Sequence, residues 1–295
     1  DEDGTWNADA TEAAVAARLA NVPDAVIPGF YGASPSGTIF TFSRGGSDVT
    51  GAIIANGVGA TLYENWTDVS GFLKADPGIV ADAHPIAEVS YKELRELSYM
   101  GAPVLHEEAI FPLRAKGIPI HIRNTNRHGD KGTLIVSDRS QEAFTNVTGI
   151  AGQRDFTAIS IEKTLMDDER GFFRKLVSIF ETNGISIAHM PSGIDSVSVI
   201  VRSEEIRFKL KKVTEELRIY LQPDAINVSD DIALIAIVGR GMINTTGVAA
   251  RIFTALAQGG VNIRMITQGA SELSIIVGID NADFDAAITA IYERA

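Results

Sequence analysis

The strongest constraint on the fold of this chain is an internal repeat with a fixed offset of 76 positions. Ile159-Ser160-Ile161 recurs as Ile235-Ala236-Ile237, Met166 as Met242, and Gly171 as Gly247. Gly184-Ile185-Ser186-Ile187 recurs as Gly260-Val261-Asn262-Ile263, and Ser196-Val197-Ser198-Val199 as Glu272-Leu273-Ser274-Ile275. The register needs no gap, so one supersecondary unit is used twice. Each copy reads strand, helix, strand, strand, helix. The first helix carries an apolar stripe at helical spacing: Phe172, Leu176, Ile179 and Phe180 in one copy, Val248, Ile252, Ala255 and Leu256 in the other. Gly171 and Gly247 end the loop before it, where the backbone must turn sharply into a helix. Ala295 closes the last helix with no strand after it, so one sheet edge is either completed by another segment or left short.

The part before the repeat is built differently. Asp9 to Ala20 predicts a helix, Ala25–Pro28 and Thr38–Thr41 two short strands around a Gly/Ser/Pro turn, then a helix over 48–58 and a strand over 60–66. Helices over Tyr91–Met100 and His106–Lys116 and a strand over Ile118–Arg123 follow. Alternation of helix and strand predicts an α/β layered sheet. Residues 137 to 153, rich in Ser, Thr, Gln and Gly, read as a polar joint.

Within this first part, Arg44-Gly45-Gly46-Ser47-Asp48 places a cation, two glycines, a hydroxyl and a carboxylate at the mouth of the 48–58 helix. Free N–H groups and the positive end of the helix dipole favour an anionic small molecule there, and arginine can hold a carboxylate in a two-point fork. The same residues also read as an ordinary Gly-rich turn with Ser47 or Asp48 as the helix cap. A second cluster, Trp66-Thr67-Asp68-Val69-Ser70-Gly71, stands at a strand end, where an α/β sheet typically meets a nucleotide.

Composition narrows the function classes. The net charge of −12 argues against a nucleic-acid or anionic-membrane role, and the basic run Arg207–Lys212 is flanked by Glu204, Glu205, Glu215 and Glu216, as on a solvated helix face. The absence of cysteine excludes disulfides, thiol nucleophiles and thiolate metal sites, and fits a cytoplasmic protein. His84, His106, His121, His128 and His189 lack metal-ligand spacing. No apolar run reaches the ~18 residues of a membrane span.

Six motifs in register carry a family resemblance. Val26-Ile27-Pro28-Gly29-Phe30-Tyr31-Gly32, Thr41-Phe42-Ser43-Arg44-Gly45-Gly46-Ser47-Asp48, Trp66 to Gly71, Ala75-Asp76-Pro77, Leu94 to Gly101, and Ile118 to Asn126 ending at Gly132-Thr133 resemble the C-terminal half of the aspartokinase catalytic domain. The repeat resembles paired ACT domains, small modules that bind amino acids, and its second copy is similar to the aspartokinase version. The fold expected is a partial amino-acid-kinase α/β/α sandwich over 1–136, a linker at 137–153, and two ferredoxin-like (βαββαβ) ACT domains over 154–229 and 230–295.

The resemblance implies transfer of a phosphoryl group from ATP, with Mg2+, to the side-chain carboxylate of L-aspartate. It implies Arg44 as holder of the substrate α-carboxylate, with Gly45, Gly46, Ser47 and Asp48 shaping the pocket, and Asp48 either meeting the substrate ammonium or capping the helix. Trp66, Thr67 and Asp68 would lie near the nucleotide, with Lys74 and Asp76 in the following loop. Two departures stand out: Gly78 and Pro103 replace basic residues that many aspartokinases carry. The family's Lys-Phe-Gly-Gly-Ser-Ser phosphate loop is absent from the 295 residues. The expectation is therefore a piece of a longer aspartokinase, poorly active by itself; the alternative is a non-catalytic amino-acid-binding regulatory subunit.

For the first ACT copy the resemblance implies an effector held by Met166, Arg170, Gly171, Phe172 and Phe173 on the loop–helix side. Ser186, Ile187, Ala188 and Ser192 would face it from a strand. Of the two phenylalanines, one is expected in the core and the other toward the ligand. Lysine is the first choice of effector and threonine the second, although Ala188 stands where lysine-sensitive enzymes usually carry an acid; Asp167, Asp168, Glu169 or Asp195 would have to replace it. Assembly as a homodimer through the ACT domains is expected.

Overall fold

The computed structural model describes residues 5–42, 45–102, 107–137 and 147–294. They divide into two compact units: one runs to Ile150 and includes Val238–Thr245, the other comprises Ala151–Ile237 and the chain from Thr246. No helix among the described residues is long and apolar enough to cross a membrane.

The first unit contains, in order, α1 (Ala8–Leu19), β1 (Tyr31–Ala33), β2 (Ile39–Thr41), α2 (Gly46–Gly57), β3 (Tyr63–Thr67), β4 (Glu88–Ser90), α3 (Tyr91–Tyr99), α4 (Glu107–Lys116), β5 (Ile120–Asn124) and β6 (Thr133–Val136). β1 and β2 form a separate hairpin, and the other four strands a sheet in the order β3-β5-β6-β4. β3 and β5 run parallel, as do β4 and β6, while β5 and β6 are antiparallel. Ile120, Ile122 and Asn124 are buried while His121 and Arg123 are half-exposed, the period of a strand with one face in the core. The expected strand at Ala25–Pro28 does not form. Val26 is fully exposed there, Pro28 offers no N–H for a ladder, and the hairpin begins only at Tyr31.

Helix α3 starts with a capping box. The Ser90 hydroxyl accepts from the Glu93 N–H, and the Glu93 carboxylate reaches back to the Ser90 N–H at 2.9 Å. Glu93 does more than cap. Its Oε2 also accepts from the Ser90 hydroxyl at 2.6 Å, and its Oε1 accepts from the Thr148 hydroxyl at 2.6 Å and the Arg240 N–H at 2.9 Å. The side chain is fully buried. Burial pushes its carboxyl up, but the donors from Ser90, Thr148 and Arg240 outweigh burial and hold it below the ordinary carboxylate range.

The second unit contains β7 (Gly149–Glu162), α5 (Phe172–Thr182), β8 (Ile187–His189), β9 (Ser196–Arg202), the short α6 (Ser203–Ile206), α7 (Leu210–Leu221), β10 (Ala225–Val238), α8 (Val248–Gln258), β11 (Ile263–Gln268), β12 (Ser274–Asp280) and α9 (Phe284–Arg294). One six-stranded sheet has the order β11-β12-β10-β7-β9-β8. β7, β8, β9 and β10 therefore make the first repeat, with β10 and β9 on either side of β7. β10, β11 and β12 make the second, and β7 pairs along the free edge of β10 as its fourth strand.

Both shared strands are 14 residues long. Asp224 N–H donates to the Glu162 carbonyl and Thr148 N–H to the Val238 carbonyl, each at 2.8 Å, the reach of an antiparallel pair. Each strand carries one left-handed aspartate, Asp155 at φ 66° and Asp231 at φ 60°, and the two are again 76 positions apart. Asp tolerates this conformation better than branched residues, and such a residue kinks a strand as a bulge does.

The boundaries expected at 153/154 and 229/230 do not interrupt the structure. β7 begins at Gly149, inside the expected linker, and β10 runs through the second boundary. Residues 138–146 of that linker lie outside the described residues.

Replacing Glu93 by Ala leaves four donors facing an apolar gap and is expected to destabilise the first unit by about 3 kcal/mol or more, read by urea unfolding. A carboxyl held below its unfolded value stabilises above about pH 4.3 and loses that contribution as the pH falls through the folded value. The stability gap between the parent chain and Glu93→Gln should accordingly shrink on acidification below that pH; a constant gap would exclude an ionised Glu93.

Candidate functional site

The mouth of α2 is shaped by close backbone approach. Gly45 sits at φ 87° as the residue before the helix. A Cβ on Gly46 would lie 2.4 Å from Phe42 Cβ, so only glycine fits there. Phe30, a bulky residue at φ 78°, is held in that uncommon conformation by three bonds. Its N–H donates to the Thr50 hydroxyl at 3.0 Å, its carbonyl accepts from the Phe42 N–H at 2.9 Å, and Thr50 donates onward to the Gly46 carbonyl at 2.8 Å. The base of the β1–β2 hairpin is thereby fastened to the start of α2. Ser47 is exposed beside it. Arg44 lies outside the described residues.

Asp48, in the first turn of α2, points its carboxylate across to β3: Oδ1 accepts from the Asn65 amide at 3.0 Å. Asn65 is buried and also donates to the Tyr63 hydroxyl at 3.3 Å. The Tyr63 ring lies over Gly51, where a Cβ would be 2.5 Å from its oxygen. Burial raises the Tyr63 phenol above its usual range; Asn65 opposes this and the Asp48 charge adds to it.

Period-two geometry puts Thr67 on the same face of β3 as Asn65 and Tyr63. Its carbonyl accepts from the Thr125 N–H and hydroxyl, at 2.8 and 2.9 Å, and its hydroxyl donates to Asp68 at 3.2 Å. Asn124 at the end of β5 donates to the Asp68 carbonyl at 3.2 Å and to the Ser70 hydroxyl at 2.8 Å. The carboxyl ends of the parallel strands β3 and β5 are thus laced together, with Asp68 exposed, beside the mouth of α2. Ligands of α/β sheets bind at such strand ends.

Trp66 belongs to the opposite face. It pairs in register with Arg123, whose guanidinium lies 4.8 Å from its ring centre, with His128 at 5.2 Å and Glu64 accepting from its indole at 3.2 Å. The structure therefore separates Trp66 from Thr67. The Asp76 carboxylate accepts from the Gly78 N–H at 2.8 Å, and the Asp76 carbonyl from Ile79 and Val80, so Asp76 serves the turn that follows it. The backbone of Lys74 is paired with His84 and Ile150. Sequence reading missed Asn65 and Asn124; the available signal was a polar amide at an inward-facing strand position.

In the second unit, Gly171 precedes α5 at φ 83°. Met166 and Phe172 are buried in the core with Ile185, against which Ile187 packs. Phe173 is 41% exposed and meets Phe172 edge-on, with ring centres 5.6 Å apart, while Arg170 and Ser186 are exposed. Ile187 and Ala188 lie on β8, the last strand of the sheet.

The loop before α5 is cross-braced. Glu169 pairs with Lys163 at 2.5 Å and Lys175 at 2.8 Å, and these cations lower its carboxyl. Asp224 accepts from the Thr164 N–H and hydroxyl, at 2.6 and 2.8 Å. Ser192 does not join the loop–helix group; it lines a cavity on the other face of the sheet.

Comparison with known proteins agrees with these two units. Residues 6–124 match the amino acid kinase family and residues 235–294 an ACT domain, defining the class: an amino-acid-kinase segment joined to ACT-type modules. Aspartokinase 3 of Bacillus subtilis is 42% identical over 276 residues, 91% of this chain and 59% of the relative. The crystal structure of Clostridium acetobutylicum aspartate kinase superposes with a TM-score of 0.89 and 52% identity, covering 98% of this chain and 66% of that one. Escherichia coli aspartokinase III, in complex with aspartate and ADP, superposes at TM-score 0.72 and 26% identity over 90% of this chain and 59% of its own. The chain is of the aspartokinase type, and it spans about three fifths of the length of the curated relative from B. subtilis.

The geometry around Tyr63 makes an expected outcome. In tyrosine-labelled NMR titrations its phenol should ionise above the ordinary 10. Asp48→Asn should lower that value and Asn65→Leu raise it further; equal values in all three proteins would contradict the contact.

Proposed function

We propose that the first unit serves phosphoryl transfer from ATP to the side-chain carboxylate of L-aspartate, and that the second unit binds an amino acid that regulates it. The observation that carries this reading is the Asp48–Asn65 hydrogen bond of 3.0 Å, which sets the Gly-rich mouth of α2 beside the strand ends at Thr67 and Asp68. E. coli aspartokinase III, similar in fold, was crystallised with aspartate and ADP, and also with lysine and aspartate.

In this reading Arg44 forks the substrate α-carboxylate, and Gly45, Gly46 and Ser47 let it approach the helix N-terminus. Asp48, oriented by Asn65, meets the substrate ammonium. Thr67 and Asp68 face the nucleotide; Trp66, on the other side of β3, and Asp76, engaged in its turn, are left out. In this reading a Mg2+ would be carried on the nucleotide phosphates and take a carboxylate from this chain. Asp68, exposed at the strand end, is the residue placed to supply it. The magnesium supplies charge neutralisation of the phosphates; the chain's part is to position the two substrates.

The regulatory amino acid is assigned to the loop–helix side of the first repeat, with Arg170, Gly171 and Phe173 as contacts, Met166 and Phe172 forming the floor, and Ser186, Ile187 and Ala188 on the facing strand. Lysine is the leading effector by analogy with the E. coli enzyme. Since Lys163 and Lys175 already occupy Glu169, exposed Asp167 or Asp168 would meet its amine. Pairing of two chains through the ACT modules gives a homodimer.

Calorimetric titration tests both halves. Arg44→Ala and Asp48→Ala should each weaken L-aspartate binding by about tenfold or more, and Arg170→Ala or Phe173→Ala should abolish saturable lysine binding. Unchanged affinities would overturn the assignments. In a hydroxamate assay for acyl phosphate, the 295 residues alone should turn over slowly, because they include no Lys-containing phosphate loop.

A further inference from the structure

The second unit carries a half-open cavity of about 290 Å3 on the sheet face turned away from its helices. Along β7, Ile159 and Ile161 enter the helix-covered core while Ala158 and Ser160 face the cavity; along β9, Val197 and Val199 enter the core while Ser196 and Ser198 face the cavity. Branched residues fill the first face to the density of an ordinary interior. Small hydroxylated ones leave the second face open. The Ser160 and Ser198 hydroxyls lie 2.9 Å apart. One donates to the other, so one hydroxyl proton and several lone pairs remain for a ligand. Ser192, Ser196 and Ser229 add further hydroxyls.

Arg264 of β11 is, among the described residues, the one charged side chain lining this cavity. Asp280 takes one of its N–H groups at 2.5 Å, which leaves others of the five for a carboxylate. Ile200, Ile232 and Met265 give the cavity an apolar wall. Among the described residues no acid lines it, and Asp280 is already held by Arg264, so a cationic side chain would lie beside Arg264 without a counter-ion of its own. The volume is at the lower end for small-molecule sites.

We propose that this cavity binds a small zwitterionic α-amino carboxylate with a neutral side chain. The carboxylate pairs with Arg264, the serine oxygens accept from the ammonium, and a short side chain rests on Ile200, Ile232 and Met265. This site is separate from the effector site assigned above, which lies on the helix side of the sheet.

Calorimetric titration of the whole chain with L-alanine, L-serine, L-threonine and L-lysine is the test. At least one neutral amino acid should bind saturably. Arg264→Gln should weaken it by about tenfold, Ser198→Val should abolish it by filling the space, and Arg170→Ala and Phe173→Ala should leave it unchanged. Valine suits a strand, and the milder Ser198→Ala, expected to weaken binding with an unaltered melting temperature, guards against a folding artefact. The proposal is overturned if no neutral amino acid binds at millimolar concentration, if binding survives both Ser198→Val and Arg264→Gln, or if Arg170→Ala removes it. It is equally overturned if lysine binding is lost in Ser198→Val. Lysine binding lost in Arg170→Ala and Phe173→Ala but kept in Ser198→Val supports two separate sites.

Discussion

One buried carboxylate receives four hydrogen bonds, two from the residue that caps its own helix and two from distant stretches of chain, and much of the first unit depends on it. Glu93 closes the cap of α3 through Ser90, then holds Thr148 and the backbone of Arg240. An unpaired charge there would cost several kcal/mol, and each donor would lose a charge-assisted hydrogen bond without it. The arrangement is therefore close to all-or-none. Its position in the chain gives it wider reach: Thr148 immediately precedes β7, and Arg240 follows β10 by two residues. Within the first unit, Glu93 thus ties together the two stretches that flank the long strands.

Those two strands explain why the repeat is not two separable domains. Among the described residues the second copy has three strands of its own, and that copy taken alone would leave a bare sheet edge. β7 fills that edge, so each long strand serves both repeats. Gly152 marks the contact: a Cβ there would meet the Leu234 carbonyl at 2.8 Å and the Phe284 ring of α9 at 2.7 Å. The left-handed Asp155 and Asp231 stand along these strands, repeat-related to each other. A change at either aspartate alters the path of a strand used by both repeats.

This also sets the limit of what the sequence disclosed. The helix stripes, the glycines before α5 and α8, and the ladder of β9 follow from local periodicity, and all were legible. Strand sharing was not, because pairing between 148 and 238 is a long-range choice that no local pattern encodes. Ser90-x-x-Glu93 is readable as a capping box, but not that its carboxylate has two further donors from 55 and 147 residues away. At the candidate site, the Gly-Gly-Ser-Asp pattern located the mouth of α2. The partner of Asp48 stayed hidden, since Asn65 lies on another strand. Trp66 and Thr67 look equivalent as neighbours in a motif; the alternation of a strand sends them to opposite faces.

The same alternation gives the second unit two chemically different faces on shared strands. On β9, Val197 and Val199 support the helix side, where a loop braced by Glu169 between Lys163 and Lys175 leads into α5. Ser196 and Ser198, one residue out of phase, line a polar cavity. The helix side offers backbone N–H groups behind Gly171 and a half-exposed aromatic ring; the cavity offers hydroxyls and one guanidinium. On either face the strands present residues whose sequence neighbours pack on the other face. A displacement of β9 from the cavity side would have to be accommodated on the helix side too, because interiors packed with Ile159, Val197 and Val199 have little slack. Linkage then makes any such coupling reciprocal, so each ligand would alter the affinity for the other by the same factor.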